Sequence, residues 1–207
     1  MSDINYLLIV TAVFLSIASP GPATIAIAST SANGGRKQGS VLAYGIATGG
    51  LIWSCAAAFG LSSVMYTNVW LFELLRYFGA GYLIYLAYKS IRSACTKDNI
   101  HLKTIAPCSL KLTYLKGMGL QLSNPKVILT YASIYALFLP AGTSPAELLL
   151  VIIAISIMAN VVFQFYAYLF STTKVSASYF RLRRYFESVF ALFFGAAGLK
   201  ILTTNID

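Results

Sequence analysis

Apolar residues run along this chain in six long stretches, at about 4–31, 39–65, 70–93, 112–139, 146–171 and 185–203. A hydrocarbon layer about 30 Å thick is crossed by roughly 20 apolar residues rising about 1.5 Å each, so every stretch predicts a membrane-spanning helix. Turn or charge signals close each one: Asn33-Gly34-Gly35-Arg36-Lys37, Thr67-Asn68, the polar segment from Thr96 to Lys111, Pro140 to Pro145, and Lys174 to Arg184. No repeat array or low-complexity tract interrupts the pattern. The prediction is an all-α integral membrane protein of six transmembrane helices. The run from Ile4 to Ala18 has the length of a signal peptide, but no Lys or Arg precedes it, so it reads as the first membrane helix.

Basic residues set the expected topology. Arg36 and Lys37 follow the first helix, Lys89 to Lys116 surround the third connection, and Lys174, Arg181, Arg183 and Arg184 fill the fifth. Those connections should face the cytoplasm, which puts both termini on the outer side. The exceptions are Arg76, Lys126 and Lys200. Composition agrees: 58% of residues are hydrophobic and 10% charged, at a mean hydropathy of +0.74, against about 25% charge in soluble domains. A single transmembrane domain over 1–207 accounts for this, with a first half at about 1–95, a cytoplasmic linker at about 96–111 and a second half at about 112–207. The net charge of +9 is explained by topology, so no nucleic-acid partner is expected.

Two interruptions carry the functional signal. Ser19-Pro20-Gly21-Pro22 stands at the centre of the first helix, where two prolines and a glycine cannot sustain helical bonding. In lipid, backbone groups freed at that depth are costly unless protein or a wet cavity satisfies them. The fourth helix carries Gln121, Ser123, Asn124, Pro125 and Lys126 in an otherwise apolar run. Lys126 lies ten residues beyond Lys116, about 15 Å deeper on a helix. An intramembrane lysine costs about 2.5–3.5 kcal/mol on insertion scales and is a functional signal by default. Bland readings are a lysine bonded to carbonyls freed by Pro125, or one snorkelling to the interface. The sharper reading is an ammonium that, with amides of a half-helix N-terminus, receives a substrate carboxylate.

The two interruptions stand half a chain length apart. Phe78-Gly79-Ala80-Gly81 in the third helix is likewise echoed by Phe194-Gly195-Ala196-Ala197-Gly198 in the sixth. Three helices per half is an odd number, so the halves enter the membrane in opposite senses. The pattern predicts two inverted three-helix repeats with helices 1 and 4 broken at the midplane, the arrangement that marks a transport site.

Other residues say less. Asn160 and Gln164 share a face of the fifth helix, to line a cavity or to bond a neighbouring helix. Glu73 with Arg76, and Glu187 with Arg183 or Arg184, have the spacing of local ion pairs near helix ends. Gly45 and Gly49 fit the small-residue packing rule. Cys55, Cys95 and Cys108 show no metal or disulfide spacing, and His101 has no partner acid nearby, so neither metal nor cofactor is expected. One histidine and six acids do not assemble the nucleophile and base of an enzyme.

Ser19-Pro20-Gly21-Pro22, Gly34-Gly35-Arg36-Lys37-Gln38-Gly39, Gly45 with Gly49, Gly60-Leu61, Gly79 to Leu86, and Leu122-Ser123-Asn124-Pro125-Lys126 together resemble the LysE/RhtB family of amino-acid exporters. The resemblance covers most of the chain. It implies a bacterial inner-membrane protein that exports amino acids or related metabolites, driven by the proton gradient, and admits a homodimer. Relatives carry acids in the second and fifth helices where this chain has Gly50 and Asn160, so proton coupling here must use another group or be absent.

The mechanism expected is alternating access, with Ser19, Pro20, Gly21, Pro22, Thr24, Gln121, Ser123, Asn124, Pro125, Lys126, Asn160 and Gln164 forming the translocation site for a small-molecule substrate. An exporter of inorganic cations and a non-transporting assembly subunit are the rival readings. The first would want carboxylates or thiolates at midplane depth, where this chain has a lysine.

Overall fold

A computed structural model of the chain describes residues 4–67, 69–95, 108–140, 142–172, 179 and 182–203. Every regular element among them is an α-helix: α1 (Tyr6–Ala18), α2 (Pro22–Thr67), α3 (Val69–Cys95), α4 (Leu110–Leu122), α5 (Pro125–Phe138), α6 (Pro145–Phe170) and α7 (Arg183–Thr203). His101 and most of the third connection, Lys174, Arg181, and the side chains of Glu73, Arg76, Arg183 and Lys200 lie outside the described residues, and the expected Glu73–Arg76 pair with them.

Both interruptions break the helix. Ser19 precedes a proline, which disfavours the helical conformation, and it is extended at ψ 127°, so α1 stops at Ala18. Pro22, whose missing amide costs nothing in a first turn, then opens α2. At the second break Asn124 is extended at ψ 105° before Pro125, and its side chain caps α5 by accepting from the Lys126 amide at 3.1 Å. What remains on either side is short: α1, α4 and α5 have 13, 13 and 14 residues, about 20 Å each.

The first predicted connection is a reversal inside α2. Gly35 takes φ 75°, which favours glycine, and a Cβ added to Gly39 would collide with the Ser31 side chain. Residues eight apart on a straight helix would stand about 12 Å from each other, so the chain doubles back there. The segment 36–67 then runs against α4 with the backbones nearly touching: a Cβ on Gly45 would strike the Tyr114 carbonyl, and one on Gly117 the Leu42 carbonyl. The Gly45/Gly49 motif therefore packs within the chain. The two echoed glycine motifs also meet, because α7 lies along α3, where a Cβ on Gly198 would come within 3.1 Å of the Ala80 carbonyl.

α6 is started by a capping box, Ser144 with Glu147, and by Pro145. It packs on α1 and α2 through Ile155, Ala159, Phe163, Tyr166 and Phe170. Large apolar side chains also cover the outside, Leu7 at 78% and Leu192 at 76% exposure among them, which a water-facing surface would not favour and a lipid-facing one does. The unbroken α6, at 26 residues, is long and apolar enough to cross a membrane.

Candidate functional site

Four helix ends converge where the two breaks face each other: the C-termini of α1 and α4 and the N-termini of α2 and α5. They enclose a cavity of about 40 Å³ lined by Ser16, Ile17, Ser19, Gly21, Pro22, Ala23, Thr24, Gln121, Asn124, Lys126, Val127 and Phe163. At ~10–15 Å³ of probe-occupied space per water, this holds a few waters and no metabolite. The site is closed.

Lys126 crosses it. Its Nζ donates to the Ser16 carbonyl at 3.0 Å, so the ammonium rests at the negative end of α1 and not on carbonyls of its own break. The Ser16 hydroxyl meets Thr130 Oγ1 of α5 at 3.4 Å, a second tie between the same two helices. Gly21 is close by: a Cβ there would stand 3.8 Å from Nζ.

The sequence left open which half-helix N-terminus would supply anion-binding amides. On α5 the first turn is already satisfied, since the Lys126 amide donates to Asn124 Oδ1 and the Val127 amide to the Asn124 carbonyl at 3.0 Å. Ala23 and Thr24, which also line the cavity, stand in the first turn of α2, where helical amides have no intrahelical acceptor. The lysine and the amides thus come from different breaks. Thr24 is buried beside them.

The freed carbonyls have donors. Ala18 O accepts from Tyr179 Oη at 2.9 Å and from Tyr166 Oη at 3.4 Å. Leu122 O accepts from Trp53 Nε1 at 3.1 Å, and Ser123 Oγ donates back to Gly119 O at 2.9 Å. These bonds explain how the breaks are tolerated in an apolar interior.

Of the residues singled out by sequence, the fold gathers Ser19, Gly21, Pro22, Thr24, Gln121, Asn124 and Lys126 around the cavity. Pro20, Ser123 and Pro125 shape the breaks without lining it. Asn160 and Gln164 stand apart. Gln164 bonds Ser40 of α2 reciprocally, accepting from its hydroxyl at 2.6 Å and donating to its carbonyl at 3.2 Å, which is helix-to-helix bonding. Asn160 Oδ1 is buried without a partner.

The residue patterns gave no sign of Ser16, Phe163, Tyr166 or Tyr179. Ser16 could have been found, because it lies one turn before Ser19 on the same face; nothing local marks the tyrosines. Glu187, expected to pair locally with Arg183 or Arg184, is 4% exposed and accepts from Ser93 Oγ at 3.2 Å, joining α7 to α3.

Known proteins resemble the chain along nearly its whole length. The family described as LysE type translocator matches residues 14–205. The threonine efflux protein of Escherichia coli K12 is 25% identical over 195 residues, 92% of this chain and 94% of the relative. An uncharacterized membrane protein of Pseudomonas aeruginosa is 30% identical over 206 residues, 96% and 94%. The leucine efflux protein of Enterobacter sp. strain 638 is 30% identical over 142 residues, 68% and 66%. No solved structure matches.

Proposed function

The chain belongs to the LysE type translocator family and is a membrane transporter, not an enzyme, and on that premise we propose that it exports amino acids or closely related metabolites by alternating access. The observation that carries the reading is that Lys126 and the first turn of α2 line one small cavity at the two helix breaks. A carboxylate that displaces the Ser16 carbonyl from Lys126 would be held by a charge and by backbone donors together. Efflux of threonine and leucine is what two relatives are named for, and both cargoes carry that carboxylate.

In this reading α1–α3 and α4–α7 are inverted halves that rock against each other. The mutual packing of α3 and α7 through their matched glycine motifs supports a two-fold relation. The 40 Å³ cavity is then too small for cargo, and rocking must widen it. The membrane is the bacterial inner membrane, with both termini periplasmic on the basic-residue rule. Two copies would pair at an outward apolar groove of about 820 Å³ between α2, α3 and α5, where Gly60 and Gly81 leave open space. Export draws on the proton gradient, and with Gly50 and Asn160 in place of acids, buried Glu187 is the acid best situated to couple it. Cation export is the weaker reading, because the charge at this cavity is a lysine.

The test is release of a mixed amino-acid panel from liposomes holding the purified protein, with and without a pH gradient, beside Lys126→Ala. Selective release that the substitution lowers at least tenfold is expected. A folded protein that releases none of the panel would sink the reading.

A further inference from the structure

The lining of the cavity includes a buried acceptor that transport of a bare carboxylate would not use. The carbonyls freed on this side already have donors: Ser16 O takes Lys126, Ala18 O takes Tyr166 and Tyr179, and Leu122 O takes Trp53. Gln121 differs. It is 4% exposed, it lines the cavity, and its Oε1 has no hydrogen-bond partner. A buried acceptor in that state carries a desolvation penalty that any donor entering the cavity would relieve.

The side chain is held there by its surroundings. A Cβ on Gly49 would come within 2.8 Å of Gln121 Cβ, so α2 lies directly against the residue. Gly50 leaves the amide uncrowded, since even a Cβ there would stand 3.5 Å from Nε2. Gln121 also belongs to the last turn of α4, where the helix dipole favours a positive group. The cavity therefore has one wall suited to an anion, made by Lys126 and the α2 amides, and one suited to a cation.

We propose that Gln121 recognises the substrate's α-ammonium group, which makes the cavity selective for zwitterions over the same acids without the amine. The inference rests on the export reading and deepens it. Gln121 Oε1 accepts a hydrogen bond from the ammonium while the substrate carboxylate lies on Lys126. Because the acceptor is neutral, the empty site keeps only the lysine's charge. A carboxylic acid without the amine would leave Oε1 unpaired, the kind of contact by which a buried polar site rejects an analogue.

The experiment loads liposomes containing the full chain with a mixture of amino acids, 3-hydroxybutanoate and 4-methylpentanoate, the last two being threonine and leucine without the amine. Release is followed by mass spectrometry for the wild-type chain, Gln121→Leu and Gln121→Glu, with folding checked by thermal melting in detergent. The wild-type chain should favour its best amino acid over both deaminated acids. Losing a hydrogen bond to a charged group should raise the amino-acid KM about 10–100-fold in Gln121→Leu, with kcat little changed and the preference collapsed. Gln121→Glu, which restores an acceptor, should keep the preference. Intact discrimination in folded Gln121→Leu overturns this inference and leaves the export reading standing. Release of no amino acid by the wild-type chain overturns both.

Discussion

The two helix breaks look alike in sequence and are held in opposite ways. At the second, the partners are mostly local. Asn124 caps the helix it precedes, Ser123 bonds back into the turn before it, and Trp53 is the distant donor. At the first, the partners come from far along the chain: Lys126 reaches Ser16 O, while Tyr166 and Tyr179 reach Ala18 O. A break satisfied by its own turn keeps its geometry when its neighbours move, and one satisfied by other helices does not. The second break thus offers a fixed mount for Lys126, and under the proposed rocking of the halves the first is the part whose bonds must change.

Substitutions can break that contrast. The largest effect is expected from Pro20→Ala with Pro22→Ala, which restores two backbone donors and lets α1 continue into α2. Transport should vanish while the protein still folds, and normal flux in the liposome assay would show that the first break is dispensable. Next comes Tyr166→Phe with Tyr179→Phe, which strips both donors from the buried Ala18 carbonyl. The double variant should lose about 1–3 kcal/mol in a denaturant titration. Each single variant should lose much less, because the other hydroxyl remains, and two large additive losses would refute the sharing.

Asn124→Ala removes one cap and should cost about 1 kcal/mol, read by the same titration. Transport should fall with it through Lys126, whose backbone that cap fixes. Ser123→Ala is the smallest, within about 0.5 kcal/mol, because the residue is exposed and its bond to Gly119 O duplicates one made by its own amide. A Ser123 effect larger than that of Asn124 would reverse the account of how the second break is held.

The breaks were legible because proline lacks a donor wherever it stands, and so were the reversal at Gly35 and the close packing at Gly45 and Gly49, where absence of a side chain is itself the signal. Asn160 and Gln164 were only half legible. Their four-residue spacing gives a shared face, but Ser40, which that face meets, is 124 positions from Gln164. The spacing of Glu187 from two arginines gives a local ion pair but not its burial or its bond to Ser93 of α3, 94 positions away.

By itself the sequence determined the helical membrane architecture and the place of each interruption, since length, apolarity and missing amides act locally and need no partner. Only the tertiary structure decided which groups meet at those interruptions: that Lys126 bonds the opposite break, that the first turn of α2 lines the same cavity, and that Tyr179 closes on Ala18. Hydrogen-bond donors and acceptors are interchangeable along a chain. Which donor reaches which carbonyl is fixed only when the helices pack, because a bond made at about 3 Å is lost within a further ångström.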